Sequence, residues 1–327
     1  MDVVITGGTG FIGSRLALQA AGAGDRVTAL GQANTPAEAD NVRRLERAGV
    51  RVVTASVTDP AALSGALRGA EIVFHLAAAQ HEMNVPDRHF REVNVGGTRN
   101  VLDAALAAGV RRVVHGSTIG VYGPVHGVVD EDTPCRPDNI YGRTKLEGER
   151  LALSYAPRLP LVAVRIPEVY GPGDRRLLKL FRAIRRGRFV RIGRGRNLHH
   201  PMYVDDLTEG LRRMAEHPAA PGRVLLFAGK QALSTDEMVD AIAAAVDVPP
   251  PRLRVPLTPL LAAAVVLELG LRPLGVQPPL HRRRMDFFRK SFTLRADRAA
   301  ELGVRPRVDF REGARLTAEW YRSTGLL

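Results

Sequence analysis

Cysteine is almost absent from this sequence, lysine is scarce, and no apolar run is long. The single cysteine, Cys135, can form neither an internal disulfide nor a cysteine-based zinc site. A free thiol in a reducing, cytoplasmic setting is the expectation, and no metal site is expected. The strongest apolar run, Leu257 to Leu269, is interrupted by Pro259 and Glu268. It falls short of the roughly 20 residues that a membrane-spanning helix needs. Met1 stands directly before an apolar strand, so no signal peptide is expected. The only lysines are Lys145, Lys179, Lys230 and Lys290, yet the net charge is +13, so the basic excess is nearly all arginine. Such a charge can serve nucleic acid or an anionic membrane. No basic motif interleaved with aromatics accompanies it, and a nucleic-acid partner is not expected.

What the sequence does contain is a glycine pattern at its start. Val3 to Ile5 is an apolar run fit for one buried parallel strand. Gly7, Gly10 and Gly13 follow, and Ile12, Leu16 and Leu18 then supply an apolar helical face. In a strand–turn–helix context this spacing means dinucleotide binding. Gly7 permits the tight turn, Gly10 lets the backbone approach a pyrophosphate, and Gly13 lets helix and strand pack closely. The helix start at Phe11 and Ile12 offers N–H groups and a positive dipole end to the phosphates.

Further strands are expected at Arg26–Leu30, Val50–Ala55, Ile72–Leu76, Val110–His115 and Leu161–Ile166. Helices alternate with them, one beginning at Asp59-Pro60 and one running from Phe90 to Ala108. Alternation of this kind gives an α/β fold, a doubly wound parallel sheet with helices on both faces. Ligands then bind at the carboxyl ends of the strands. Those ends carry Gly31-Gln32, Leu76-Ala77-Ala78, Ser117-Thr118 and Pro167-Glu168-Val169. Neither acid nor base stands at Gly31-Gln32, where the adenosine ribose should lie, so NAD and NADP both remain open. Asn94 and Gly96-Gly97 interrupt an apolar helix at a cost in helix stability, which asks for a packing or functional reason. His75 reads as a satisfied core histidine. Gly123 to Ile140 reads as a polar loop. Arg175 to Arg196 reads as a solvated face, with a grip on an anionic substrate as the alternative.

Tyr141 and Lys145 are four apart, so on a helix they share one face. A surface pair would be the plain explanation. Behind a dinucleotide motif and a strand ending in Ser117-Thr118, catalysis is the better one. A nearby ammonium favours the phenolate, which suits a tyrosine acting as acid or base.

Taken together, Thr6 to Gly13, His75 to Ala78, Asn94 to Thr98, Ser117 to Gly123, Tyr141-x-x-x-Lys145, Arg165 to Gly173 and Met202 to Leu207 resemble the extended short-chain dehydrogenases/reductases, the NAD-dependent epimerase/dehydratase family. The resemblance spans essentially the whole chain. It implies a Rossmann domain over 1–170, rejoined by about 195–230, and a smaller mixed α/β substrate domain over 171–327. It also implies dimerisation through helices. Tyr141 is implied as acid/base, Lys145 as its pKa tuner and ribose ligand, and Thr118 as the hydroxyl that orients the substrate oxygen. Cofactor contacts are expected from Gly7, Gly10, Phe11, Ile12, Gly13, Gly31, Gln32, Leu76, Ala77, Ala78, Asn94, Tyr141, Lys145, Pro167 and Val169.

Three positions depart from the nucleotide-sugar members of that family: Glu168 for Asn, His199 for Arg and Arg295 for Asp. The leucine- and proline-rich stretch Pro256 to Leu280 resembles that of the sterol-dehydrogenase-like and ketoreductase branches. The expected activity is therefore hydride transfer at a secondary alcohol or ketone of a small molecule. The alternatives are a nucleotide-sugar epimerase or dehydratase, and a dinucleotide-binding redox regulator without turnover.

Overall fold

The computed structural model describes residues 1–80, 85–262, 267, 286–288 and 291–327. Seven parallel strands form its main sheet: β1 (Asp2–Thr6), β2 (Arg26–Gly31), β3 (Arg51–Thr54), β4 (Ile72–His75), β5 (Arg112–Thr118), β6 (Leu161–Ile166) and β7 (Val224–Leu226). Their order is β7-β6-β5-β4-β1-β2-β3. This is the Rossmann-type α/β arrangement expected. Its strands read as continuous apolar runs because helices cover both faces. On one side Leu16 and Ala17 of the helix Phe11–Gly22 meet Leu207 and Leu211 of the helix Val204–Glu216. On the other, Leu63, Leu102 and Ala152 join Val73, Val113 and Leu161 in a second cluster. Each fully buried leucine or isoleucine contributes about 1.5–3 kcal/mol.

Sequence chemistry sets the helix starts. Asp59 accepts from Ala61 N and Ala62 N, with Pro60 at the first position. Ser234 and Glu237 form a capping box. A second box, Thr35 with Glu38 after Pro36, starts the helix Pro36–Arg47. The same three-residue signal marks it in the sequence.

Two expectations fail. The single helix from Phe90 to Ala108 is three pieces: a helical turn Asp87–Arg91, a π-helical turn Glu92–Gly97 and a helix Thr98–Ala107. Close approach explains the small residues nearby: a Cβ on Gly97 would strike Val57, and one on Gly148 would lie 2.6 Å from Asn94 O. The loop Gly123 to Ile140 contains a strand, His126–Val129, paired in parallel with Ser291–Leu294. Its partner lies some 165 residues away in sequence, and the strand itself is largely exposed. Neither fact leaves a local apolar signal.

A third cluster gathers Phe181, Ile242, Ala314 and Tyr321 from the helices Leu178–Arg185, Thr235–Ala245 and Phe310–Ser323. Among the described residues no helix is long and apolar enough to cross a membrane. Most of the Pro256 to Leu280 stretch lies outside the described residues.

Candidate active site

The reversal of strand order at β1 and β4 opens a crevice above their carboxyl ends, the place where such sheets bind ligands. Gly7 lines it with φ +70°, and a Cβ there would lie 2.8 Å from Leu76 C and Ala77 N. Its lack of a side chain thus serves both the turn and the approach of the β4 end. A Cβ on Gly13 would collide with Gly7 O, which fixes the closeness of helix and turn. Above Gly10 the space is clear: a Cβ would meet only Gly7 O, at 3.2 Å. The helix that starts at Phe11 has Gly10 as N-cap and no side-chain cap. Its first N–H groups therefore face outward beside bare backbone, a cradle that fits a dinucleotide pyrophosphate. Gly31 packs beneath the turn, where a Cβ would strike Thr9 Oγ1, and Gln32 beside it is exposed. Leu76, Ala77 and Ala78 are half-buried along the crevice wall, and Pro167 and Val169 are buried at its far end.

Asn94 stands apart from these. It is 1 % exposed; its Oδ1 accepts from Ala79 N, and its Nδ2 donates to Ala79 O and Thr144 Oγ1. The amide ties Ala79, beyond the end of β4, to the helix Ile140–Ser154. That tie is the functional reason for a polar residue in the π turn.

Asn139 caps the helix Ile140–Ser154, which brings Tyr141 and Lys145 over the end of β5. The Tyr141 hydroxyl is hydrogen-bonded to Thr118. Thr118 Oγ1 also accepts from Gly120 N at 3.1 Å. Burial raises the Tyr141 pKa, while the Thr118 bond and the positive charge of Arg176 oppose the rise. Lys145 Nζ donates to Gly116 O at 2.6 Å, and burial lowers its pKa to about 8 against the attraction of Glu149. The cation that favours the phenolate here is thus Arg176, with Lys145 turned to the β5 backbone.

Arg176 belongs to the arginine-rich stretch expected on a solvated face. Arg185, Arg186, Arg188, Arg194 and Arg196 are indeed exposed. Arg176 is exposed as well, yet it also binds Asp174 (Nε to Oδ1, 2.9 Å) and Val169 O (Nη2, 2.6 Å), with its guanidinium 5.4 Å from the Phe11 ring centroid. Arg175 reaches Asp40, Arg182 reaches Leu326 O, and Arg191 reaches Asp236 and Asp240. The signal missed in the sequence is Asp174-x-Arg176 just past a strand end.

A second missed unit lies behind the helix. Glu149 and Arg165 form a buried ion pair, Nη2 to Oε1 2.7 Å, and Ser117 Oγ donates to Glu149 Oε2 at 2.5 Å. An arginine inside the apolar strand Leu161–Ile166 was its visible sign. His75 is the satisfied core histidine expected. Thr98 Oγ1 donates to Asn94 O at 2.7 Å, so it accepts from His75 Nε2–H at 2.9 Å. His75 Nδ1 then accepts from Thr6 Oγ1 at 2.7 Å.

The three departures from the nucleotide-sugar pattern have partners in the fold. Glu168 and His199 pair with each other, Oε2 to Nδ1 3.2 Å, and Arg295 pairs with Asp130.

Residues 3–226 match the family model described as the NAD dependent epimerase/dehydratase family. The chain is 32 % identical over 344 residues to UDP-glucose 4-epimerase of Mycolicibacterium smegmatis, covering 99 % of each. It is 29 % identical over 293 residues to 3beta-hydroxysteroid-dehydrogenase/decarboxylase isoform 2 of Arabidopsis thaliana, covering 83 % of this chain and 52 % of that protein. The chain thus matches about half the length of this plant relative. The structure of UDP-glucuronic acid 4-epimerase from Bacillus cereus in complex with NAD superposes with a TM-score of 0.80 at 22 % identity over 99 % of both chains, which shows the shared fold. The chain belongs to the NAD-dependent epimerase/dehydratase family, a family of enzymes.

Proposed function

We propose that this protein is an oxidoreductase acting at a secondary alcohol or ketone, with Thr118, Tyr141 and Lys145 as its catalytic residues. The observation that carries the reading is the Thr118–Tyr141 hydrogen bond at the carboxyl end of β5, beside the glycine-lined crevice. The bound dinucleotide supplies the hydride acceptor or donor. Gly7, Gly10, Phe11, Ile12 and Gly13 hold its pyrophosphate, Gly31 and Gln32 border its adenosine end, and Leu76, Ala77, Ala78, Pro167 and Val169 border its nicotinamide end. Tyr141 takes the proton from the substrate hydroxyl in oxidation and returns it in reduction. Thr118 Oγ1 hydrogen-bonds the same oxygen and fixes its place. Burial keeps Tyr141 protonated at rest, and the Thr118 hydrogen bond and the Arg176 charge ease its ionisation at the moment of transfer.

A nucleotide-sugar epimerase is the second reading, favoured by the near full-length match to an epimerase. It uses the same residues but returns the hydride to its substrate. An alcohol oxidoreductase therefore consumes added cofactor in step with product, and an epimerase does not. Tyr141→Phe is the test of the shared core. It is expected to lower turnover by about 100- to 10,000-fold while leaving cofactor binding intact. Unchanged turnover in that variant would remove Tyr141 as the acid/base.

A further inference from the structure

The basic excess of this chain is local. Residues 175–204 hold nine arginines, one lysine and no acidic residue. They carry +10 of the net +13, and the other 297 residues, with 37 basic against 34 acidic side chains, are nearly balanced. Four of the ten cations, Arg175, Arg176, Arg182 and Arg191, have the partners described above. Lys179, Arg185, Arg186, Arg188, Arg194 and Arg196 are exposed, and among the described residues none of the six makes a hydrogen bond or an ion pair. Arg185 and Arg186 stand at the C-terminal end of the helix Leu178–Arg185, where cations are favourable. Arg188, Arg194 and Arg196 lie beyond it and have no such reason to be there.

The fold sets an apolar side chain among these charges. Arg191–Ile192 pairs in parallel with Arg254–Val255. Arg191 N donates to Leu253 O at 2.9 Å, and Gly193 N donates to Val255 O at 2.9 Å. A Cβ on Gly193 would lie 3.4 Å from Leu257 Cβ. Leu253, between Arg252 and Arg254, thus runs beside the arginine stretch. It is 73 % exposed, more than any other large hydrophobic among the described residues. The acids packed against this edge, Asp236 and Asp240, are neutralised by Arg191 and Arg254, so they leave the surrounding positive charge uncancelled.

We infer that the face made by Arg185 to Arg196 together with Leu253 docks the protein reversibly on an anionic lipid bilayer. Such a surface is anionic outside and apolar beneath. The guanidinium groups meet its phosphates, and the leucine enters the acyl boundary. A nucleic acid would use the charge but leave Leu253 in water. The inference goes beyond the hydride-transfer reading and does not depend on it.

The test is sedimentation of the full chain with phosphatidylcholine vesicles, with or without about 30 % phosphatidylserine, at about 0.1 M salt. Binding is expected only with phosphatidylserine and is expected to be lost at about 0.5 M salt. Each arginine at such a surface contributes about fivefold, so Arg185→Gln, Arg186→Gln and Arg188→Gln combined are expected to weaken binding about 100-fold. A control removes the same charge from three exposed arginines on other elements, Arg51→Gln, Arg68→Gln and Arg99→Gln combined. It is expected to change binding by less than about fivefold. All six side chains are exposed, so both variants are expected to unfold thermally as the wild type does. Leu253→Ser is expected to weaken vesicle binding about tenfold. Duplex DNA added at equal phosphate concentration is expected to leave the protein on the vesicles. A wild type that ignores phosphatidylserine would overturn the inference. So would equal losses in the two triple variants, wild-type binding by Leu253→Ser, or full displacement by DNA.

Discussion

At the scale of single residues, the floor beneath the candidate site holds groups whose charged forms the fold opposes. Burial lowers the His75 pKa to about 3, and burial with the nearby Lys145 charge drives His115 well below its ordinary value. Among the described residues both ring nitrogens of His115 lack a hydrogen-bond partner. The unfolded chain protonates both histidines near pH 6.5, whereas the native state refuses them. Stability is therefore full above about pH 6.5 and falls as pH drops toward 3, with a slope of about 1.4 kcal/mol per pH unit for each histidine. Denaturant unfolding from pH 7.5 to 4.5 is expected to show that slope. In His115→Leu the slope falls by one histidine's share, and stability at neutral pH rises by about 1 kcal/mol as the unpaired nitrogens go. A slope equal to wild type in that variant would contradict the burial argument. Lys145 carries the same kind of conflict. Between its native pKa of about 8 and the ordinary 10.5 the unfolded chain binds the extra proton, so this contribution to stability rises with pH across that window. Lys145→Met is expected to gain about 1–2 kcal/mol at pH 7, a gain that shrinks above pH 8, and to lose activity.

At the scale of elements, the helix Ile140–Ser154 is placed by its polar anchors as much as by apolar packing. Glu149 binds Ser117 on β5 and Arg165 on β6, which locks the Tyr141–Lys145 face against the strand ends. Glu149→Ala leaves Arg165 buried without its anion and is expected to cost about 3–5 kcal/mol. Glu149→Leu combined with Arg165→Met is expected to recover most of that loss in thermal unfolding, but not the activity if the helix shifts. A single variant as stable as wild type would show that the pair does not anchor the helix.

Element boundaries also show how far the sequence carries. The β1 strand, its glycine turn and the Tyr141–Lys145 helix were legible because spacing alone dictates them. The break at Glu92–Gly97 was visible only as a helix with misplaced polar and glycine residues. Its cause, Val57 and the Asn94–Ala79 clasp, comes from distant segments. The strand His126–Val129 was illegible because its pairing is non-local.

At the scale of the whole molecule, the sheet order and the position of the crevice follow from the βα alternation, which the sequence displays plainly. The pairing of Glu168 with His199 does not, since the two stand 31 residues apart, Glu168 in the link after β6 and His199 on a separate strand. Read one at a time they were only departures from a pattern; together they are one hydrogen-bonded unit. The ties made by Arg175, Arg176 and Arg191 were hidden for a similar reason, because a run of arginines reads as a charged surface unless their partners are known.

The central claim is that the glycine turn and the crevice beside it hold a dinucleotide. The most direct measurement is titration of the purified protein with NAD, NADH, NADP and NADPH, with mass spectrometry of whatever co-purifies. The account predicts binding, with freely exchanging cofactor and a preference for one reduced form. NAD retained through purification would favour the epimerase reading on the same site. Failure to bind any of the four would contradict the assignment of Gly7, Gly10 and Gly13, and with it the function built upon them.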